Sequence, residues 1–133
     1  MIDLRSVRDY LKTQGVAEHY YIGKLNSKKE KSVGVYYLNK RNEYARAVGE
    51  ERNDRAGSKP ASILIHWNKN AAETEEAAWR VFEFLRDTQP KTQIGNHEIS
   101  FIQMLQNEPV DVSTDDFGIY ERVIEIIIHY IKN

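Results

Sequence analysis

The chain has 133 residues, 41% hydrophobic and 29% charged, which is enough to enclose one core and excludes a disordered tail. Its net charge of -1, from 19 Lys and Arg against 20 Asp and Glu, lacks the basic excess that accompanies tight nucleic-acid binding. Cysteine is absent, so disulfides, thiolate metal sites and cysteine nucleophiles are excluded.

At the start of the chain, MIDLRSVRDYLK has charges spread through it and no apolar stretch of the kind an export signal needs. No segment approaches the ~20 apolar residues that span a bilayer, so neither export nor membrane insertion is expected. Leu4, Val7 and Leu11 fall at helical spacing, with Asp3 placed to cap the first turn and Gly15 to stop the last. An amphipathic helix over Asp3 to Gln14 is predicted. His19 to Leu25 and Ser32 to Leu38 are rich in β-branched and aromatic residues and flank a lysine-rich link, which reads as a hairpin.

From Asn39 to Pro60 the chain is polar, mixed in charge and punctuated by Gly49, Gly57 and Pro60, with no sustained periodicity. A long loop is expected, and loops of this length in a small domain are commonly functional. Ala61 to Trp67 is a strand by composition. The clearest helix follows at Ala71 to Asp87, where Ala71, Thr74, Ala78, Val81, Phe82 and Leu85 share one face. Glu73, Glu75 and Glu76 stand near its positive end and Pro90 lies beyond its close. Trp79 lies off the apolar stripe, at the core edge or against another molecule.

After the turn IGNH, Glu98 to Leu105 is a strand, and PVDVSTDDFG forms an acidic loop closed by Gly118. In the final strand, IYERVIEIIIHYI, Tyr120, Ile124, Ile126, Ile128 and Tyr130 build one apolar face, while Glu121, Glu125 and His129 alternate with them. The whole, residues 1–133, is expected to be a single α+β domain in the order α-β-β-β-α-β-β. It would have a mostly antiparallel sheet of about five strands with two helices packed on one face.

Chemical motifs are sparse. His19, His66, His97 and His129 are scattered, none in an HExxH or HxH spacing, so the sequence points to no metal site. Histidines on the polar face of a strand are more often surface or interface groups than ligands. His97, after Gly95 and Asn96, reads as a turn residue. No Gly-rich phosphate loop and no GxSxG elbow is present, so no cofactor and no enzymatic activity is expected. Asp115 and Asp116, adjacent in a Ser- and Thr-bearing loop, read as solvated turn formers.

Charge is instead segregated. Lys24, Lys28, Lys29 and Lys31 stand against Glu30 alone, whereas Glu108, Asp111, Asp115 and Asp116 have no base among them. The lysines suit either phosphate contacts or the protection of an exposed turn and its edge strand, and no aromatic interleaves them to stack bases.

The run ILIHWNKNAAETEEAAWRVFEFLRDTQP, followed by IGNHEISFIQMLQNEPVDVSTDDFGIYERVIEIIIHYI, resembles the minor capsid or tail-terminator proteins of long-tailed bacteriophages. The resemblance lies in the order of its parts. A strand and short polar link precede an amphipathic helix, then come a turn and strand, a proline-acidic loop and a long terminal strand. It implies a structural virion protein at the head-proximal end of the tail, assembled in the host cytoplasm. Such a protein forms a ring, expected to be a hexamer, that stops tube polymerisation and provides the joint to the head connector.

The implied partners are further copies of itself, the major tail tube protein, the neck or connector protein, and non-specific contact with passing DNA. A ring needs one patch to meet a different patch on the neighbour. The candidate contacts are Lys24, Lys28, Lys29 and Lys31, the acidic set Glu108, Asp111, Asp115 and Asp116, Trp79, and the loop arginines Arg41, Arg46, Arg52 and Arg55. A head-completion protein of the same virion, a small enzyme with a site assembled from distant residues, and a monomeric binding module are the competing readings.

Overall fold

The two helices among the described residues begin where a side chain replaces the hydrogen-bond partners that a helix start lacks. In the computed structural model, which describes residues 1–38 and 56–132, α1 (Leu4–Lys12) is capped by Asp3, whose carboxylate accepts from the Ser6 amide at 2.8 Å. Helix α2 (Ala71–Arg86) is capped by Asn70, which accepts from the Glu73 amide at 3.0 Å. Asn68 braces that start by donating to the Glu73 carboxylate. α2 buries Thr74, Ala77, Ala78, Val81, Phe82 and Leu85. Ala71, expected on that face, is exposed because it opens the helix before the first buried turn.

Among the described residues, seven strands form one sheet: β1 (His19–Ile22), β2 (Ser32–Tyr37), β3 (Ala56–His66), β4 (Gln93–Ile94), β5 (His97–Met104), β6 (Val110–Thr114) and β7 (Tyr120–Ile131). The spatial order is β1-β2-β3-β7-β5-β4, with β6 also on β7. β7 is the spine. It pairs with β3 from Glu121 to Ile131 along one edge, and with β5 and then β6 along the other. The expectation of about five strands omits β4 and β6. β4 is two residues long, and β6 lies inside the stretch read as an acidic loop, where Val110 and Val112 alternate with Asp111 and Ser113 over only five residues, none of them buried.

The predicted hairpin is corrected. β1 and β2 are parallel, with His19 beside Ser32 and Ile22 beside Val35, so the sheet is mixed. The chain reverses twice within residues 23–31. Gly23 and Lys31 take left-handed φ values of 67° and 56°, and a turn between them is closed by the Lys29 amide on the Asn26 carbonyl. Parallel neighbours ordinarily need a longer crossover, commonly a helix. Here the short link crosses the sheet face opposite the helices. A Cβ on Gly34 would stand 2.9 Å from the Tyr36 ring and 3.1 Å from the Leu25 side chain, so glycine at that position leaves room for both the ring and the link.

The predicted 39–60 loop is shortened at its end, since residues 56–60 belong to β3, and 39–55 lie outside the described residues. Pro60 is tolerated within a strand because it lies past Ala61, the last β3 residue paired with β2.

The helices cover one sheet face. Val7 and Leu11 of α1 and the apolar stripe of α2 pack on Val33, Val35, Ala61, Ile63, Ile65, Ile99, Ile102, Ile124, Ile126, Ile128 and Tyr130. Burial of each such aliphatic side chain contributes about 1.5–3 kcal/mol. On the opposite face Ile127 is also buried, 1% exposed. β7 therefore carries apolar groups on both sides at its centre, as the middle strand of a sheet should.

Candidate functional site

At one end of the sheet, three segments distant in sequence meet around a histidine. His66 is the last residue of β3 and lies directly across from Glu121 of β7. Its side chain is completely buried, contrary to the surface placement expected of a histidine on a strand's polar face. The 23–31 link covers it, and its Nε2 is 2.9 Å from the Ser27 carbonyl oxygen. A carbonyl only accepts, so Nε2 carries a proton and donates it.

The other nitrogen, Nδ1, faces carboxylates: Glu121 Oε2 at 2.7 Å and Asp115 Oδ2 at 3.8 Å. Asp115 is held by the turn that joins β6 to β7. Its Oδ1 accepts from the Phe117 and Ile119 amides at 2.9 and 3.0 Å, and Gly118, at φ 80°, completes the turn. Asp115 Oδ2 is buried and has no hydrogen-bond partner among the described residues.

This geometry changes what the charged segments are. The lysine-rich link and the acidic turn, separate in sequence, lie at the same end of the sheet, one on the β2 side of His66 and the other on the β7 side. Lys24, Lys28 and Lys29 are exposed on the link, and Lys31 stands 4.0 Å from Glu18. On the other side Glu108, Asp111 and Asp116 are exposed, while Asp115 is partly buried and serves the turn. Asp111 accepts from the Ser113 amide, and Ser113 adopts φ 72°. That kink irregularly pairs β6 with β7 and blunts an edge that would otherwise invite another strand.

Trp79 is partly buried at the rim of the core, edge-on to Phe82 at 5.1 Å. Arg41, Arg46, Arg52 and Arg55 lie outside the described residues.

A second group of surface residues occupies the far end of the sheet. Phe101, 51% exposed, stacks on His129 at 4.4 Å, and Ile131 is exposed beyond them. His129 Nε2 meets Gln103 Oε1 at 2.8 Å. Burial holds the His129 imidazole below its ordinary pKa of 6.5. The unfolded chain then binds more protons than the folded one between the lowered value and 6.5, so this residue's contribution is full above 6.5 and is lost as pH falls through that window. Denaturation midpoints followed from pH 7.5 to 5 are expected to fall more steeply for the parent than for His129→Gln; parallel curves would remove the assignment.

General acid or base work requires a side chain within reach of a substrate proton. His66, with no exposed surface and both nitrogens engaged, does not offer one, whereas the groove between α1 and α2, lined by Tyr10, Gln14, Arg80 and Phe84, carries the carboxylates of Glu83 and Asp87. The cluster of His66, Asp115 and Glu121 escaped the sequence reading because it depends on strand register. The cross-strand pairing of His66 with Glu121 is the one signal that would have revealed it. A protein-family model described as bacteriophage tail terminator protein matches residues 10–131. No curated protein matches the chain.

Proposed function

Because the chain belongs to the bacteriophage tail terminator family, we propose that it caps the tail tube as a closed ring, a hexamer, that ends tube polymerisation and joins the tail to the head connector. The observation that carries this reading is the match over residues 10–131, which takes in nearly all the described elements. Membership points to a structural component of the virion tail rather than an enzyme.

The placement of charge supports a specific way of closing the ring. A cyclic assembly uses two different patches on each subunit, facing opposite ways around the ring. The lysine link and the acidic turn flank the same end of the sheet on opposite sides, so rotation about an axis along the strands brings one subunit's Lys28 and Lys29 toward the next subunit's Glu108, Asp111 and Asp116. Rim charges of this kind steer encounter and register more than they supply affinity. In this arrangement the tail tube and connector proteins dock above and below the ring, and Arg41, Arg46, Arg52 and Arg55 make the non-specific contacts with passing DNA. Trp79, whose partly open indole lies on the helical face, is available to one of these partners.

Negative-stain microscopy of the purified protein mixed with tail tubes tests the reading: a ring at one tube end is expected, and tubes that lengthen without a cap in its presence would refute it. Reversing Lys28 and Lys29 to Glu is expected to shift light-scattering mass from ring toward subunit, most strongly at low salt, where steering is least screened. An unchanged oligomer mass would remove this interface.

A further inference from the structure

The cluster around His66 has an unbalanced charge. Its Nε2 donates to the Ser27 carbonyl, and its Nδ1 points at two carboxylates rather than one. If Nδ1 is protonated it bonds to Glu121 and leaves Asp115 Oδ2 buried, charged and without a hydrogen-bond partner. A single imidazolium then faces two carboxylates, an arrangement that burial penalises. A divalent cation resolves every part of this. Nδ1 becomes a neutral donor, the two carboxylates balance the ion's charge, and Asp115 Oδ2 gains a partner. The Nε2 bond to a backbone carbonyl is the contact that characteristically orients a metal-binding histidine.

We propose that His66 Nδ1, Asp115 Oδ2 and Glu121 Oε2 bind one divalent cation of the zinc class. The three atoms lie within 4.8 Å of one another. Tetrahedral ligands at ~2.1 Å from zinc stand ~3.4 Å apart. The 2.7 Å separation of Nδ1 from Glu121 therefore opens and the 3.8 Å separation from Asp115 closes, each by less than ~1 Å, while the two carboxylate oxygens, at most 4.8 Å apart, close by up to ~1.4 Å.

The chain fixes the rest of the site in advance. Asp115 is oriented by two backbone amides through its other oxygen, Glu121 by its pairing with His66 across β3 and β7, and His66 by Ser27. The carboxylate side chains, 17% and 20% exposed, leave a path for the ion and for a solvent molecule at the fourth position. Imidazole with two carboxylates favours zinc or manganese over magnesium, which keeps its water and prefers oxygen ligands. A bound ion ties β3, the acidic turn, β7 and, through Ser27, the lysine link into one rigid end.

The test is isothermal titration of the chelator-stripped full chain with zinc, manganese and magnesium chlorides. The expected result is one zinc per chain, with Asp115→Asn and Glu121→Gln each weakening binding by about tenfold or more. Asp115→Asn retains an oxygen for the Phe117 and Ile119 amides, so it separates ligation from turn formation. His97→Gln, which alters the histidine beside the N-terminal amine, is expected to leave binding unchanged. In nitrogen-detected NMR, zinc should move the Nδ1 resonance of His66 while Nε2 stays protonated. Absence of zinc binding, binding untouched by both carboxamide substitutions, or binding lost through His97→Gln instead would each overturn the proposal.

Discussion

Replacing Ile126 with alanine is expected to lower the stability of the subunit by about 3 kcal/mol, near the middle of the range for deleting a buried isoleucine side chain. Ile126 is completely buried and lies opposite Ala61 on β3 and Met104 on β5. It therefore sits where the sheet is paired on both edges and the helices cover its face. Ala61 and Ala78, both small and fully buried in the same core, offer no bulk that could swing into the vacancy. Urea denaturation should show the loss as a lower midpoint with an unchanged slope, and the thermal midpoint should drop by about 10 °C. A loss under about 1 kcal/mol would mean that the helices settle into the space and that the core is less tightly interlocked than its burial indicates.

The isoleucines that make this prediction strong also made β7 the most legible element in the sequence. Ile124, Ile126, Ile128 and Tyr130 alternate with Glu125 and His129, and the structure buries that face as the alternation requires. The helices were legible for a related reason. Asp3 stands at the start of α1 and Glu73, Glu75 and Glu76 near the start of α2, and their apolar spacing matches the buried faces apart from Ala71. These signals are local, carried by residues within a turn or two of one another.

What failed depends on backbone conformation and strand register, which residue identity alone does not carry. The parallel pairing of β1 with β2 cannot be read from a lysine-rich link, because the same polar residues serve a hairpin or a link that doubles back. Here the left-handed turns at Gly23 and Lys31 decide the outcome, and lysine at such a backbone position is not foreseeable from its identity. β6 was hidden for a different reason: exposed on both faces and kinked at Ser113, it is a strand only because β7 lies beside it. The candidate site was the least legible part. Asp115 reads correctly as a turn former, through its bonds to Phe117 and Ile119, yet its second oxygen belongs to a cluster that exists only once β3 and β7 are in register.

That cluster governs the second large effect. His66→Ala is expected to cost about 3 kcal/mol when measured in excess chelator, so that no bound ion contributes. The substitution removes the donor to Ser27, leaves a cavity under the 23–31 link, and strands Asp115 and Glu121 beside each other with no cation between them. Breaking a buried pair by deleting one partner commonly costs more than the pair contributed, because the remaining charge is left uncompensated. The carboxylates here are mostly but not fully buried, which places the expected figure at the lower end of that range.

A double-mutant cycle separates this electrostatic origin from simple loss of volume. Once Glu121 has been changed to Ala, most of the repulsion that His66→Ala would expose is already gone, so the two changes together should cost at least about 1 kcal/mol less than the sum of the single losses. Strict additivity would show that His66 fills space under the link and does not bind the acidic turn to it. The lysine link and the acidic turn would then be joined by packing alone, and an interface assembled from them would owe its geometry to Leu25 and the backbone turns rather than to the buried histidine.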